Sequence, residues 1–173
     1  MKKITSTKRA FTIIEVVVTI GILFLVLSMI FPMFKYNVGN LNKIESKDAL
    51  QNDAQFGAKF LSDKAMEAKG ILEIYNEKYS HIEESNGKQK IKKVVFITDE
   101  KLKYIFSIEN NKLLFSDNKY NRFLVASNIN SLEFEPLDNK NFKDSRGVKI
   151  KFNMKESETN YVIDTDVFFR NSR

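Results

Sequence analysis

The chain has 173 residues, a formal net charge of +6, no cysteine, six glycines and a single histidine. These figures leave room for one small soluble domain beside a membrane segment, and they exclude a disulfide framework, a Gly-rich phosphate loop and a histidine-pair metal centre. Lys2, Lys3, Lys8 and Arg9 supply four of the positive charges, with no acid among the first ten residues, so the remainder carries +2 before its termini are counted, a weak footprint for nucleic-acid phosphates.

The first element after this basic tail is apolar. Nineteen residues from Val16 to Phe34 carry no charge, and from Phe11 onward only Glu15 interrupts the run. As a helix rising about 1.5 Å per residue, Phe11 to Phe34 reaches roughly 36 Å, enough for a hydrocarbon core of about 30 Å. The positive flank predicts that the N-terminus stays on the cytoplasmic side and that everything after Phe34 lies outside. A secretory signal peptide would be cut after its apolar region at a small-residue site. Tyr36-Asn37-Val38-Gly39-Asn40 offers none, whereas Ala10 stands immediately before the apolar run, where a cut would remove the basic tail and keep the helix.

Ala10-Phe11-Thr12-Ile13-Ile14-Glu15 followed by a long apolar helix resembles the processing site of type IV pilins and type II secretion pseudopilins. In that family the bond after a small residue, usually Gly, is cut and the new N-terminal Phe is methylated. The resemblance implies cleavage between Ala10 and Phe11 and N-methylation of Phe11, with Ala10 departing from the usual Gly. Counted from Phe11, Glu15 falls at the family's acidic fifth position, and Pro32 at the twenty-second, where many members carry a helix-breaking Pro.

Within the apolar run, Gly21 and Ser28 are small surfaces where another helix can approach, or ordinary small residues facing lipid. Pro32 removes one backbone N–H, so a kink or loosening is expected there. Lys35 to Lys69 contains no Pro and favours helix, with Val38, Leu41, Ala49, Phe56, Phe60 and Met66 in one stripe interrupted by Glu45, Asn52 and Asp63. The stripe predicts a helix half covered by a sheet, and Gly70 is placed to end it.

After Gly70 the pattern turns to strands: Ile71–Tyr75, Lys93–Thr98, Leu102–Ile108, Lys112–Phe115, Phe123–Ala126, Ser131–Glu135, Val148–Phe152 and Tyr161–Phe169. Asp99-Glu100-Lys101 and Asn110-Asn111 read as hairpin turns. Asn76 to Lys92 reads as a polar loop holding His81, which has no second His or Cys and is a poor metal or catalytic candidate. Phe56, Phe60, Phe96, Phe106, Phe134, Phe152 and Phe168 are expected to face inward. The predicted fold class is α+β, with a long N-terminal helix, membrane-spanning and then amphipathic, packed on a mostly antiparallel sheet. Three regions follow: a cleaved leader over 1–10, a membrane or filament-core helix over 11–36, and an extracytoplasmic domain over 37–173. Leu61-Ser62-Asp63-Lys64-Ala65, the stretch from Ala126 to Phe134 and the closing Val167-Phe168-Phe169-Arg170-Asn171 are similar to minor pseudopilins of the J type.

No constellation points to catalysis. Asp138 with Asp144 and Asp164 with Asp166 lack the alternating oxygen spacing of a calcium loop and read as solvated turns and strand faces. Glu15 is the residue that needs a reason, since an unpartnered carboxylate deep in a bilayer costs on the order of 2.5–3.5 kcal/mol. It lies in the headgroup layer, or it pairs with the α-amine of Phe11 on a neighbouring subunit, or it does each in turn. The resemblance implies a structural subunit with no cofactor or metal, whose partners are the membrane, a prepilin peptidase, other pilin or pseudopilin subunits and, indirectly, an assembly ATPase and platform proteins. A DNA-uptake role is a variant with little charge behind it. The rival is an uncleaved, membrane-anchored extracytoplasmic binding or sensor domain.

Overall fold

The computed structural model describes residues 12–118 and 122–170. Helix α1 (Ile13–Met66) is 54 residues long and is followed by eight strands: β1 (Gly70–Asn76), β2 (Gln89–Ile97), β3 (Lys103–Glu109), β4 (Lys112–Asp117), β5 (Phe123–Ala126), β6 (Ile129–Pro136), β7 (Gly147–Glu156) and β8 (Thr159–Phe168). A short 3-10 turn, Leu137–Asn139, follows β6. The chain forms two compact units, one up to Lys43 and one from Ile44 onward, and α1 contributes to each.

In the second unit the strands make one curled, wholly antiparallel sheet in the order β5-β4-β3-β2-β6-β7-β8, with β1 on the other side of β2. Strand β2 is the hinge of this arrangement. Gln89 to Ile91 pair with β6 while Lys93 to Ile97 pair with β3, so two meanders share one strand. The hairpins use the expected chemistry. Asn110 and Asn111 both adopt positive φ, 48° and 60°, as a tight two-residue turn between twisted strands requires. Thr98 and Lys101 close the turn after β2, where the Thr98 hydroxyl also accepts the Leu102 N–H.

The sequence places α1 on the sheet through small residues. Leu50, Ala54, Gly57, Ala58, Leu61 and Ala65 form the buried face, recurring at helical spacing, and Ala68 just beyond the helix is buried too. At Gly57 an added Cβ would stand 3.0 Å from Ala126 Cβ and 3.6 Å from Phe152 Cε1, a measure of how closely helix and sheet approach. The stripe expected from the larger residues is the opposite face: Val38, Leu41, Ala49, Phe56 and Met66 are exposed, and only Phe60 is half-buried. Small side chains win the inner face because they admit the sheet's own phenylalanines.

Phe96, Phe106, Phe134 and Phe152 are fully buried as expected, each burial contributing about 1.5–3 kcal/mol. Phe56 and Phe168 are not, at 57% and 60% exposure. On β8 the alternation puts Val167 inward, Phe168 outward and Phe169 inward, so the buried aromatic is the neighbour of the expected one. Phe142, from a polar stretch, is fully buried.

Two boundaries also differ. Gly70 does not cap α1 in a left-handed conformation; it opens β1 opposite Ile97, because the Ile97 carbonyl takes the Lys69 N–H at 2.7 Å and draws the chain straight into the sheet. Residues 89–92 belong to β2 rather than to the preceding loop. Gln-Lys-Ile-Lys looks polar because only Ile91 is buried and its neighbours lie on the solvated side.

Candidate functional site

The residues singled out in the sequence lie along the first half of α1. Ala10 and Phe11 fall outside the described residues, as does Asn171 at the other end. From Thr12 the geometry is defined. Glu15 N–H donates to Thr12 Oγ1 at 3.3 Å, while Thr12 N–H and its hydroxyl both lie 3.2 Å from Glu15 Oε2. This is a reciprocal capping box: a hydroxyl at the cap, an acid three residues on, and each side chain satisfying the other's backbone. The carboxylate also stands in the first turn, where the helix dipole favours negative charge. The Thr-x-x-Glu spacing carries this signal in the sequence, and the reading of Glu15 as a residue in need of an outside partner missed it.

Beyond Glu15 the helix turns apolar surface outward on every side. Among the described residues α1 is the helix long and apolar enough to cross a membrane, and none of its apolar window is buried within the chain. Its polar side chains are satisfied on their own backbone: Thr19 Oγ1 donates to the Glu15 carbonyl at 2.6 Å and Ser28 Oγ to the Leu25 carbonyl at 2.7 Å. Nothing approaches within 4 Å of the position a Cβ would take on Gly21. The helix continues through Pro32, which leaves the Ser28 carbonyl without its usual donor four residues on.

In the second unit one polar network joins helix and sheet. The Tyr104 hydroxyl donates to Glu67 Oε2 at 2.8 Å, and Lys64 Nζ holds the same carboxylate at 2.9 Å while lying 4.9 Å from the Tyr104 ring centroid. Burial, and then the hydrogen bond to Glu67, push the Tyr104 phenol up to about 12. Partial burial pushes Glu67 up, but the hydrogen bonds from Lys64 and Tyr104 outweigh it and hold the carboxyl below its ordinary range. The network locks the end of α1 to β3.

His81 is tied into the fold. Its Nδ1 lies 2.7 Å from Glu83 Oε1, the same oxygen that accepts the Ile74 N–H, and its ring leans on Tyr75. Among the described residues no group of three His, Cys, Asp or Glu side chains could hold a metal ion; Asp138 and Asp144 lie in and beside turns, and Asp164 and Asp166 on the outer face of β8. A scan against family models, a search of curated proteins and a search of solved structures each returned no match.

Proposed function

We propose that the chain is a prepilin-like structural subunit of a type IV pilus or a type II secretion-like pseudopilus. It enters the cytoplasmic membrane with its basic tail inside and the sheet domain outside, is cut between Ala10 and Phe11 by a prepilin peptidase, is methylated on Phe11, and packs with other pilin subunits under an assembly ATPase. The observation that carries this reading is the first half of α1: about two dozen residues of helix, apolar on all sides, preceded by a basic tail and a small residue and covered by nothing in its own chain. Such a surface needs lipid, then other helices. The α+β architecture of a long helix on an antiparallel sheet supports the same role, with the sheet outermost. Shearing cells of the native host and probing the filament fraction with antibody tests it; the chain is expected there, and is expected to be absent when the peptidase is removed.

One observation favours the uncut membrane anchor. Glu15 is satisfied by Thr12 within the chain, so its charge does not by itself demand an amine on a neighbour. Glu15→Gln separates the two, since the amide retains acceptor and shape for the box and loses the charge. Loss of filament incorporation with normal membrane insertion supports pairing with the Phe11 amine, and wild-type incorporation leaves Glu15 a cap only.

A further inference from the structure

The sheet has two long free margins of different kinds. The outer side of β1 is covered by the loop that follows it: Ile82 N–H donates to the Ile74 carbonyl at 3.1 Å, the Glu83 carboxylate accepts the Ile74 N–H, and His81 bridges Tyr75. The outer side of β8, ten residues long, has no such cover among the described residues. Among the described residues β8 pairs with β7 alone. An exposed edge of that length presents a row of unpaired backbone groups, a template that proteins normally blunt or use.

The side chains beside this edge are ordered by charge. Across the outer face, Lys90 of β2 stands opposite Glu133 of β6, which stands opposite Lys151 of β7, which stands opposite Asp164 of β8. One step along, Glu135, Lys149 and Asp166 repeat the pattern. Each row alternates in sign from strand to strand and ends at the edge on an acid. Lys149 Nζ leans to Asp164 at 3.5 Å, so the Asp166 carboxylate has no ion pair among the described residues. On the other face Tyr161, Ile163 and Thr165 are half-buried, with Tyr161 and Ile163 packed against the core.

We propose that the β8 edge is a docking site for an extended segment of another protein, which adds a strand there with basic residues at alternate positions and apolar ones between them. The next member of each charge row must be positive to continue it, and opposite charges directly across a strand pair are favourable while like charges are not. The intervening side chains fall beside Thr165 and Ile163, both half-buried, where the Thr165 methyl and the Ile163 side chain offer apolar surface. Backbone pairing supplies affinity and the alternate side chains supply selection, as in other strand additions. A second copy through the same edge is disfavoured, because antiparallel β8 strands centred on this stretch would set Asp164 and Asp166 against each other, and any other register leaves the acids of both copies without the positive row they call for.

The test uses the full chain in non-ionic detergent and a fluorescein-labelled peptide, Thr-Lys-Val-Lys-Val-Thr, read by anisotropy. Saturable binding is expected, weakened at least about tenfold when both Lys are replaced by Glu or the central Val by Pro. Combining D164K with D166K should reverse the preference, so that the Glu peptide binds and the Lys peptide does not. The proposal is overturned by absence of saturable binding to the wild type, by affinity indifferent to the double substitution, or by a Pro peptide that binds as well as the original, which would mean charge attraction without strand addition. Self-association of the chain that the double substitution abolishes, with no peptide bound, would also overturn it.

Discussion

The two parts of α1 make opposite uses of apolar residues. Up to Lys43 the helix carries large ones, Ile, Val, Leu, Phe and Met, and almost all of them are exposed; from Ile44 the face that packs is Leu50, Leu61, Ala54, Gly57, Ala58 and Ala65, all buried. Bulk without cover and cover without bulk belong to different surroundings. The second part finds its partner in its own sheet and needs close approach, whereas the apolar window of the first is unburied among the described residues and presents the kind of surface that lipid or other helices accept.

The sharpest break of this comparison is a matched pair of truncations. Phe152→Ala should remove about 3–5 kcal/mol from unfolding of the sheet unit, and Phe24→Ala, the same deletion on the uncovered part, should leave it unchanged. Urea unfolding of the full chain in non-ionic detergent, followed by near-ultraviolet circular dichroism, reads both. Equal shifts would mean that the first part of α1 is buried against the sheet after all.

Glycines sharpen the same contrast at smaller scale. A Cβ on Gly147 would press into the Val167 carbonyl, and a larger side chain on Gly57 into Ala126, so Gly147→Ala and Gly57→Val should each cost about 1–3 kcal/mol in that assay. Gly39 has nothing within 4 Å, and Gly39→Ala should stabilise helix locally by about 0.5–1 kcal/mol.

These contrasts show how much of the molecule is legible in sequence. The helix, the strands and the hairpin turns at 99–101 and 110–111 are, because strands of alternating Lys, Ile, Val and Phe and the Asn-Asn turn carry local signals, whereas the tight β7–β8 turn at Ser157-Glu158 is not. The helix face is not: Ala54, Ala58 and Ala65 give little hydrophobic contrast, and only the sheet's bulk, supplied by residues more than 30 positions away, makes them the inner face. The Phe168 and Phe169 parity is likewise set by the register with β7, where Phe168 stands opposite Gly147. Of the candidate site, the apolar helix and its basic flank are plain in the sequence. The Glu15 cap is carried by Thr-x-x-Glu, a local signal that competes with the cost of a charge near a membrane.

A smaller effect comes from Tyr104 and Glu67, which tie helix to sheet. The Tyr104 phenol is raised from 10.0 to about 12 in the folded chain, so its stabilisation is complete below pH 10 and is lost as pH rises toward 12. Glu67 is depressed below 4.5, so its share is present above that value and is lost as pH falls through the folded value. The stability difference between wild type and Tyr104→Phe should therefore be widest near neutrality and close above pH 10. A difference that stays constant to pH 12 would contradict the hydrogen-bond assignment. A local effect is expected at the start of α1, where Thr12→Val should cost about 0.5–2 kcal/mol of helix stability, seen as faster amide exchange over residues 13–16 with no change in unfolding of the sheet.

The proposal that the chain is cut before Phe11 and its uncovered helix packs into a filament meets its most direct test in the mass of the N-terminus. Protein extracted from membranes of the native host should begin at a methylated Phe11, without residues 1–10. An intact Met1 terminus in cells that are assembling filaments would contradict it and leave the chain an uncut membrane anchor.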